Sequence, residues 1–162
     1  AFANKEELKG GYSETSRDGF KVALDISAYS LAVVTREAKK YMNENGSIVT
    51  LTYLGAERAM PNYNVMGVAK AALEASVRYL AFELGEEGMR VNAVSAGPIR
   101  TLSSSAVGEF KTILKEIEER APLRRYVDQV EVGNAVAFLL SDFASGITGE
   151  VLHVDSGYSI MA

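Results

Sequence analysis

Cysteine is absent from all 162 residues. Disulfides and thiolate-bound metal centres are therefore excluded within the chain, and a reducing, cytoplasmic setting is the expectation. Histidine occurs once, as His153. One imidazole argues against a histidine-based metal site and against a Ser-His-Asp triad. Flanked by apolar Leu152 and Val154, it reads as a strand position. No apolar run approaches the roughly 20 residues of a membrane span, so no membrane partner is expected. Positive charge is in deficit, with 17 Lys and Arg against 21 Asp and Glu and a net charge of −4. Nothing resembles a basic nucleic-acid surface. Ala1-Phe2-Ala3-Asn4 reads as no signal peptide, because a basic leader and a long apolar stretch are both missing. No internal repeat is visible. What is present, 48% hydrophobic and 23% charged residues, suits a globular domain with a sizeable core.

Ser16 or Asp18 is expected to cap a long helix running to about Met42. Its apolar positions, among them Phe20, Val22, Leu24, Ile26, Leu31 and Val34, spread too widely for one stripe, which predicts burial on more than one side. The β-branched run Ser47 to Tyr53 reads as a buried strand. A loop to Asn62 leads into a second long helix, Tyr63 to Leu84, ended by Gly85 and Gly88. Arg90 to Ala96 is the next strand, stopped by Gly97-Pro98. Thr101 to Val107 reads as a small, polar linker. Helices are expected over Glu109–Glu119 and from Asp128 to Leu140, and a last strand over Glu150–Asp155. This alternation predicts an α/β fold with parallel strands and helices on both faces, binding ligands beyond the carboxyl ends of its strands.

Tyr63 opens the second helix and Lys70 lies seven residues on. They share one helix face, about 10 Å apart along the axis. Helical side chains lean toward the N-terminus, so Lys70 reaches back toward Tyr63. An ammonium there would lower the phenol pKa, and the pair would bind an oxyanion and a sugar hydroxyl together. The alternative is a tyrosine packed at a helix start and a lysine on a solvated face.

Five runs in order decide between these. They are Ile26-Ser27-Ala28-Tyr29-Ser30, Thr52-Tyr53-Leu54-Gly55-Ala56-Glu57-Arg58, Pro61-Asn62-Tyr63-Asn64-Val65-Met66-Gly67, Val91 through Thr101, and Gly149-Glu150-Val151-Leu152-His153-Val154-Asp155. With them the chain resembles the short-chain dehydrogenase/reductase superfamily. Within it, the chain is similar to the bacterial enoyl-acyl-carrier-protein reductases of fatty acid synthesis. Most of the superfamily carries Tyr-x3-Lys after an upstream serine; here Gly67 stands at that lysine position, a departure typical of the enoyl reductase branch.

The resemblance implies the C-terminal, active-site part of a Rossmann-like, doubly wound parallel sheet, with residues 1–162 as one incomplete domain. It implies hydride transfer from NADH, favoured over NADPH, to an enoyl thioester on acyl carrier protein. Tyr63, Tyr53 and Lys70 would be catalytic: Tyr63 donating to the thioester carbonyl, Lys70 also holding the nicotinamide ribose, and Tyr53 shaping the acyl pocket or assisting the proton network. Gly97, Pro98, Ile99 and Thr101 would contact the cofactor. Ala3, Tyr53, Met66, Val107, Phe110 and Ile113 would line the substrate site, with residues 102–108 as a lid. Lys111, Lys115, Arg124 and Arg125 are either a patch for the acidic carrier protein or a solvated face. The two long helices would pair with those of other subunits in a homotetramer, burial under the lacking half being the competing cause of their many-sided apolar content.

The glycine-rich phosphate turn of the fold is not recognisable, since Gly10-Gly11 does not follow a strand. Against a domain of about 250 residues, roughly 90 are expected to be lacking. Two alternatives remain at this point: a related reductase acting on a carbonyl, which Tyr-x6-Lys argues against, and a non-catalytic assembly fragment.

Overall fold

Residues 1–99 and 110–161 are described in the computed structural model of the protein. Strands β1 (Ser47–Thr52), β2 (Arg90–Ala96) and β3 (Val151–Val154) form a parallel sheet in the order β1-β2-β3. Ile48 aligns with Val91, and Val94 with Leu152. The strand period of two sorts the β2 side chains onto two faces. Val91 and Ala93 pack with Val77, Ala81 and Leu84 of helix α3 (Asn64–Gly85). Val94 and Ala96 pack on the other face with Val132, Val136 and Leu139 of a helix spanning Gln129–Leu140. The α/β layering expected from the element order is therefore present. Only β1 departs from its reading as a buried strand. It pairs on one side alone among the described residues, and Leu51 is 50% exposed.

The first long helix is not continuous. Helix α1 (Arg17–Leu24) gives way to a π-helical turn, Asp25–Tyr29, before α2 (Ser30–Ala38). Ser16 caps α1 by accepting from the Gly19 amide at 3.0 Å. The extra residue per turn rotates the apolar face, which is why no single stripe fits the sequence. It also carries Ser27 inward, where its hydroxyl accepts from Phe2 N at 2.8 Å and donates to Phe2 O at 2.9 Å.

Helix α4 (Phe110–Arg120) lies beyond β2, and α5 is the Gln129–Leu140 helix. Asp128 and Glu131 close a capping box at its start, where Asp128 accepts from Glu131 N at 2.8 Å. Buried Arg90 fastens its other end, donating to the carbonyls of Leu139 at 2.9 Å and Ser141 at 3.1 Å. A cation at helix-terminal carbonyls suits both their lone pairs and the helix dipole. Asn92, fully buried on β2, donates to Ile147 O and accepts from Glu150 N, guiding the chain into β3.

Candidate active site

Tyr53 and Tyr63 meet at the carboxyl end of β1. Their ring centroids are 5.1 Å apart, edge to face. Tyr53 follows the strand directly in extended conformation, and Tyr63 is the N-cap residue of α3. Two left-handed asparagines flank Tyr63, Asn62 at φ 57° and Asn64 at φ 37°. Asparagine tolerates this region better than most residues. Asn64 is held there by donating to Gly10 O at 3.1 Å. The ring of Tyr63 lies over two glycines. A β-carbon on Gly55 would stand 2.4 Å from its Cδ1, and one on Gly67 would stand 2.6 Å from Gly55 O.

Lys70 is buried, and its Nζ donates to Leu51 O at 2.8 Å. One turn on, buried Glu74 accepts from the Thr52 hydroxyl at 2.6 Å. Burial pulls the Lys70 pKa down, with Glu74 acting against it. The Tyr63 phenol is pushed well up, first by burial and then by Tyr53. The lowering expected from a nearby ammonium is not seen: Lys70 turns its Nζ to Leu51 O, and burial keeps the Tyr63 phenol neutral. Tyr53 is likewise raised, by burial first and then by Tyr158 and Glu116.

At the end of β2, Gly97 donates to Val154 O at 2.8 Å, and a β-carbon on it would lie 3.1 Å from Asp155 Cα. The Asp155 backbone thus leaves little room for a side chain there. Ile99 joins the apolar cluster around Val94, and Ile113 of α4 is half-buried. Ala3 packs with Val65 and Ala69. Met66 is buried with its sulfur 3.9 Å from the Ser27 hydroxyl. Thr101 and Val107 lie outside the described residues, as do residues 102–108 and the side chain of Phe110. Among the described residues no cluster of acids and histidine is suited to a metal ion, and no helix is long and apolar enough to cross a membrane.

The family model of enoyl-(acyl carrier protein) reductase matches residues 1–159. The chain belongs to the enoyl-acyl-carrier-protein reductase family. It is 68% identical over 158 residues to the NADPH-type reductase FabI of Staphylococcus aureus, covering 98% of this chain and 62% of that protein. It is 66% identical over 161 residues to the NADH-type FabI of Bacillus cereus, covering 99% of this chain and 63% of the relative. The crystal structure of the B. cereus enoyl-acyl carrier protein reductase with NADP+ and an indole naphthyridinone superposes with a TM-score of 0.97 at 65% identity, over 100% of this chain and 63% of that one. The chain thus spans a little over three fifths of the relatives it matches.

Within this reductase fold the sequence-predicted Tyr53, Tyr63 and Lys70 converge on one strand end, and Met66 meets Ser27, which bonds the backbone of Phe2 beside Ala3. Of the basic residues, Lys111 has its side chain outside the described residues, and the others are engaged in local contacts: Arg125 grips Glu131 with bonds of 2.8 and 2.7 Å, Lys115 lies 3.7 Å from Glu119, and Arg124 donates to Glu119 O. Sequence reasoning missed Glu74, Tyr158 and Glu116. Tyr158 donates to Glu116 at 2.8 Å, bringing both toward Tyr53 across a separation of 42 residues. Only Glu74 had a local signal, as an acid one helical turn after Lys70.

Proposed function

We propose that the protein carrying this chain reduces the trans-2 double bond of enoyl-acyl-carrier-protein thioesters with NADH, closing the fatty acid elongation cycle. The observation that carries this reading is the helix start itself. Tyr63 is sealed over Gly55 and Gly67, so the next polar group on its helix face is Lys70.

The donor set fits a dinucleotide. Lys70 brings an ammonium with three N–H groups to the carboxyl end of a parallel sheet, where such ligands bind. Lys70 would hold the ribose hydroxyls, with the backbone of Gly97, Pro98 and Ile99 beside the nicotinamide and Thr101 toward the pyrophosphate. The bound nicotinamide supplies the hydride. Tyr63 keeps its proton and donates to the thioester oxygen as negative charge builds there. A donor of this kind is typically worth about 3 kcal/mol in the transition state. Tyr53 braces the Tyr63 ring edge to face and shapes the acyl pocket, which Ala3, Met66, Val107, Phe110 and Ile113 complete. Relatives named for NADH, in B. cereus and Bacillus subtilis, support NADH as donor, while the S. aureus relative is named for NADPH.

Acyl carrier protein would present the substrate. A homotetramer is supported by apolar residues left open on α2 and α3, with Val34 63%, Tyr79 78% and Phe82 86% exposed. The setting would be cytoplasmic. The test is nicotinamide oxidation with crotonyl thioester and, in parallel, with a β-ketoacyl thioester. Turnover of the first and not the second supports the reading; the reverse would replace it with carbonyl reduction.

A further inference from the structure

Glu74 is a buried acid for which the proposed reaction has no use. It is 7% exposed, one helical turn beyond Lys70 at 8%, and its partner Thr52 is 5% exposed. Lys70 Nζ donates to Leu51 O at 2.8 Å, and Thr52 Oγ1 donates to Glu74 Oε1 at 2.6 Å. Two side chains of α3 therefore grip consecutive residues at the end of β1, the last two before Tyr53. Packing alone gives no reason for an acid at this position. A glutamine would accept the same Thr52 bond without burying a charge, and an uncompensated buried carboxylate is costly.

The surroundings of Glu74 indicate what its charge acts on. From α3 itself come Lys70 and, one turn further, exposed Arg78; from the loop after β1 comes Glu57; from β3 comes His153, whose Nε2 lies 2.8 Å from Glu57 Oε1. Burial raises the Glu74 pKa and the Thr52 hydrogen bond works against that; Glu57 adds to the rise, while His153 and Arg78 favour the charged form. For Lys70, Glu74 is the charge that works against burial. We propose that Glu74 is a positioning residue for Lys70, holding its ammonium charged and aimed at the β1 terminus while clamping, through Thr52, the strand end that carries Tyr53. The inference rests on the reading of Lys70 as the group that holds the nicotinamide ribose.

Glu74→Gln tests it, because it keeps shape and an acceptor for Thr52 while removing the charge. Two readouts are taken on the full-chain protein: titration of the Lys70 side chain by NMR after isotopic lysine labelling, and the pH profile of kcat/KM for NADH. Both midpoints are expected to fall by about one pH unit, the lower end of what a close opposite charge contributes. Glu74→Asp is expected to restore part of the shift. Thr52→Val, which leaves the charge in place, is expected to lower stability without moving the Lys70 titration. If Glu74→Gln lowers the melting temperature but leaves the Lys70 midpoint in place, the acid is only structural and the proposal fails. Absence of crotonyl thioester reduction in the unmodified protein would instead remove the reductase reading, and the NMR titration would still decide the coupling.

Discussion

The carbonyl oxygen of Gly55 lies 2.6 Å from the point where a β-carbon on Gly67 would sit. No L side chain fits there without moving the backbone between β1 and α3. The usual lysine of the superfamily would stand at this position, so the close approach gives a steric reason for finding the ammonium at Lys70 instead. Gly67→Ala is expected to cost about 1–3 kcal/mol by overpacking, read by urea denaturation. It should also cut turnover, because the displaced loop carries Gly55 from beneath the Tyr63 ring. Wild-type stability and activity in this variant would show that the contact relaxes freely.

The raised phenol and the lowered ammonium predict opposite behaviour on the alkaline side. Tyr63 stays protonated throughout the working range, so it contributes no limb to the pH–rate profile. Lys70 loses its proton below the ordinary lysine value of 10.5, and cofactor affinity falls as pH rises through that midpoint. Tyr63→Phe is expected to lower kcat about a hundredfold with the alkaline limb retained. Lys70→Ala is expected to raise KM for NADH and abolish the limb. Full pH–rate profiles of both variants check this.

Ser27 satisfies both backbone polar groups of Phe2 with one hydroxyl. Ser27→Ala leaves that N–H and C=O without their partner, at a cost of about 1–2 kcal/mol. Faster hydrogen exchange at the Phe2 amide and lower stability in urea are the expected outcomes. An unchanged exchange rate would mean that the segment before Lys5 is held by other contacts.

How far the sequence led depended on whether the signal was local. Strand and helix periodicity located β1, β2, β3 and α3 to within about a residue, because apolar spacing follows from the geometry of each element. Helix spacing put Tyr63 and Lys70 on one face, but only the five surrounding runs singled them out as candidate site residues. The π-helical turn at Asp25–Tyr29 was hidden, since an extra residue in a helix looks only like blurred amphipathicity. The close approach of Gly97 to Asp155, 58 residues away, is likewise invisible to local spacing. The Tyr158–Glu116 pair beside Tyr53 depends on tertiary placement that spacing does not encode.

Arg125 and the amide of Asp128 hold Glu131 far below its ordinary value of 4.5, at about 2. A carboxylate depressed on folding stabilises the fold above its unfolded pKa. That contribution is lost as pH falls from 4.5 toward 2. Glu131→Gln is therefore expected to lower the melting temperature at neutral pH, with the difference from wild type closing below pH 4.5. A difference that persists into that acid range would assign the effect to packing rather than charge.

Arg90 and Asn92 impose an order on events as the chain is made. Both belong to the middle strand, yet their carbonyl and amide partners lie between Leu139 and Glu150, some 50 residues later. Synthesis runs from the N-terminus at about 5–20 residues per second. For several seconds β2 therefore exists with a buried-type guanidinium and amide still in water. β3 cannot join the sheet until the ribosome has delivered α5 and the turn after it, so Arg90 and Asn92 gain their partners only when that segment arrives.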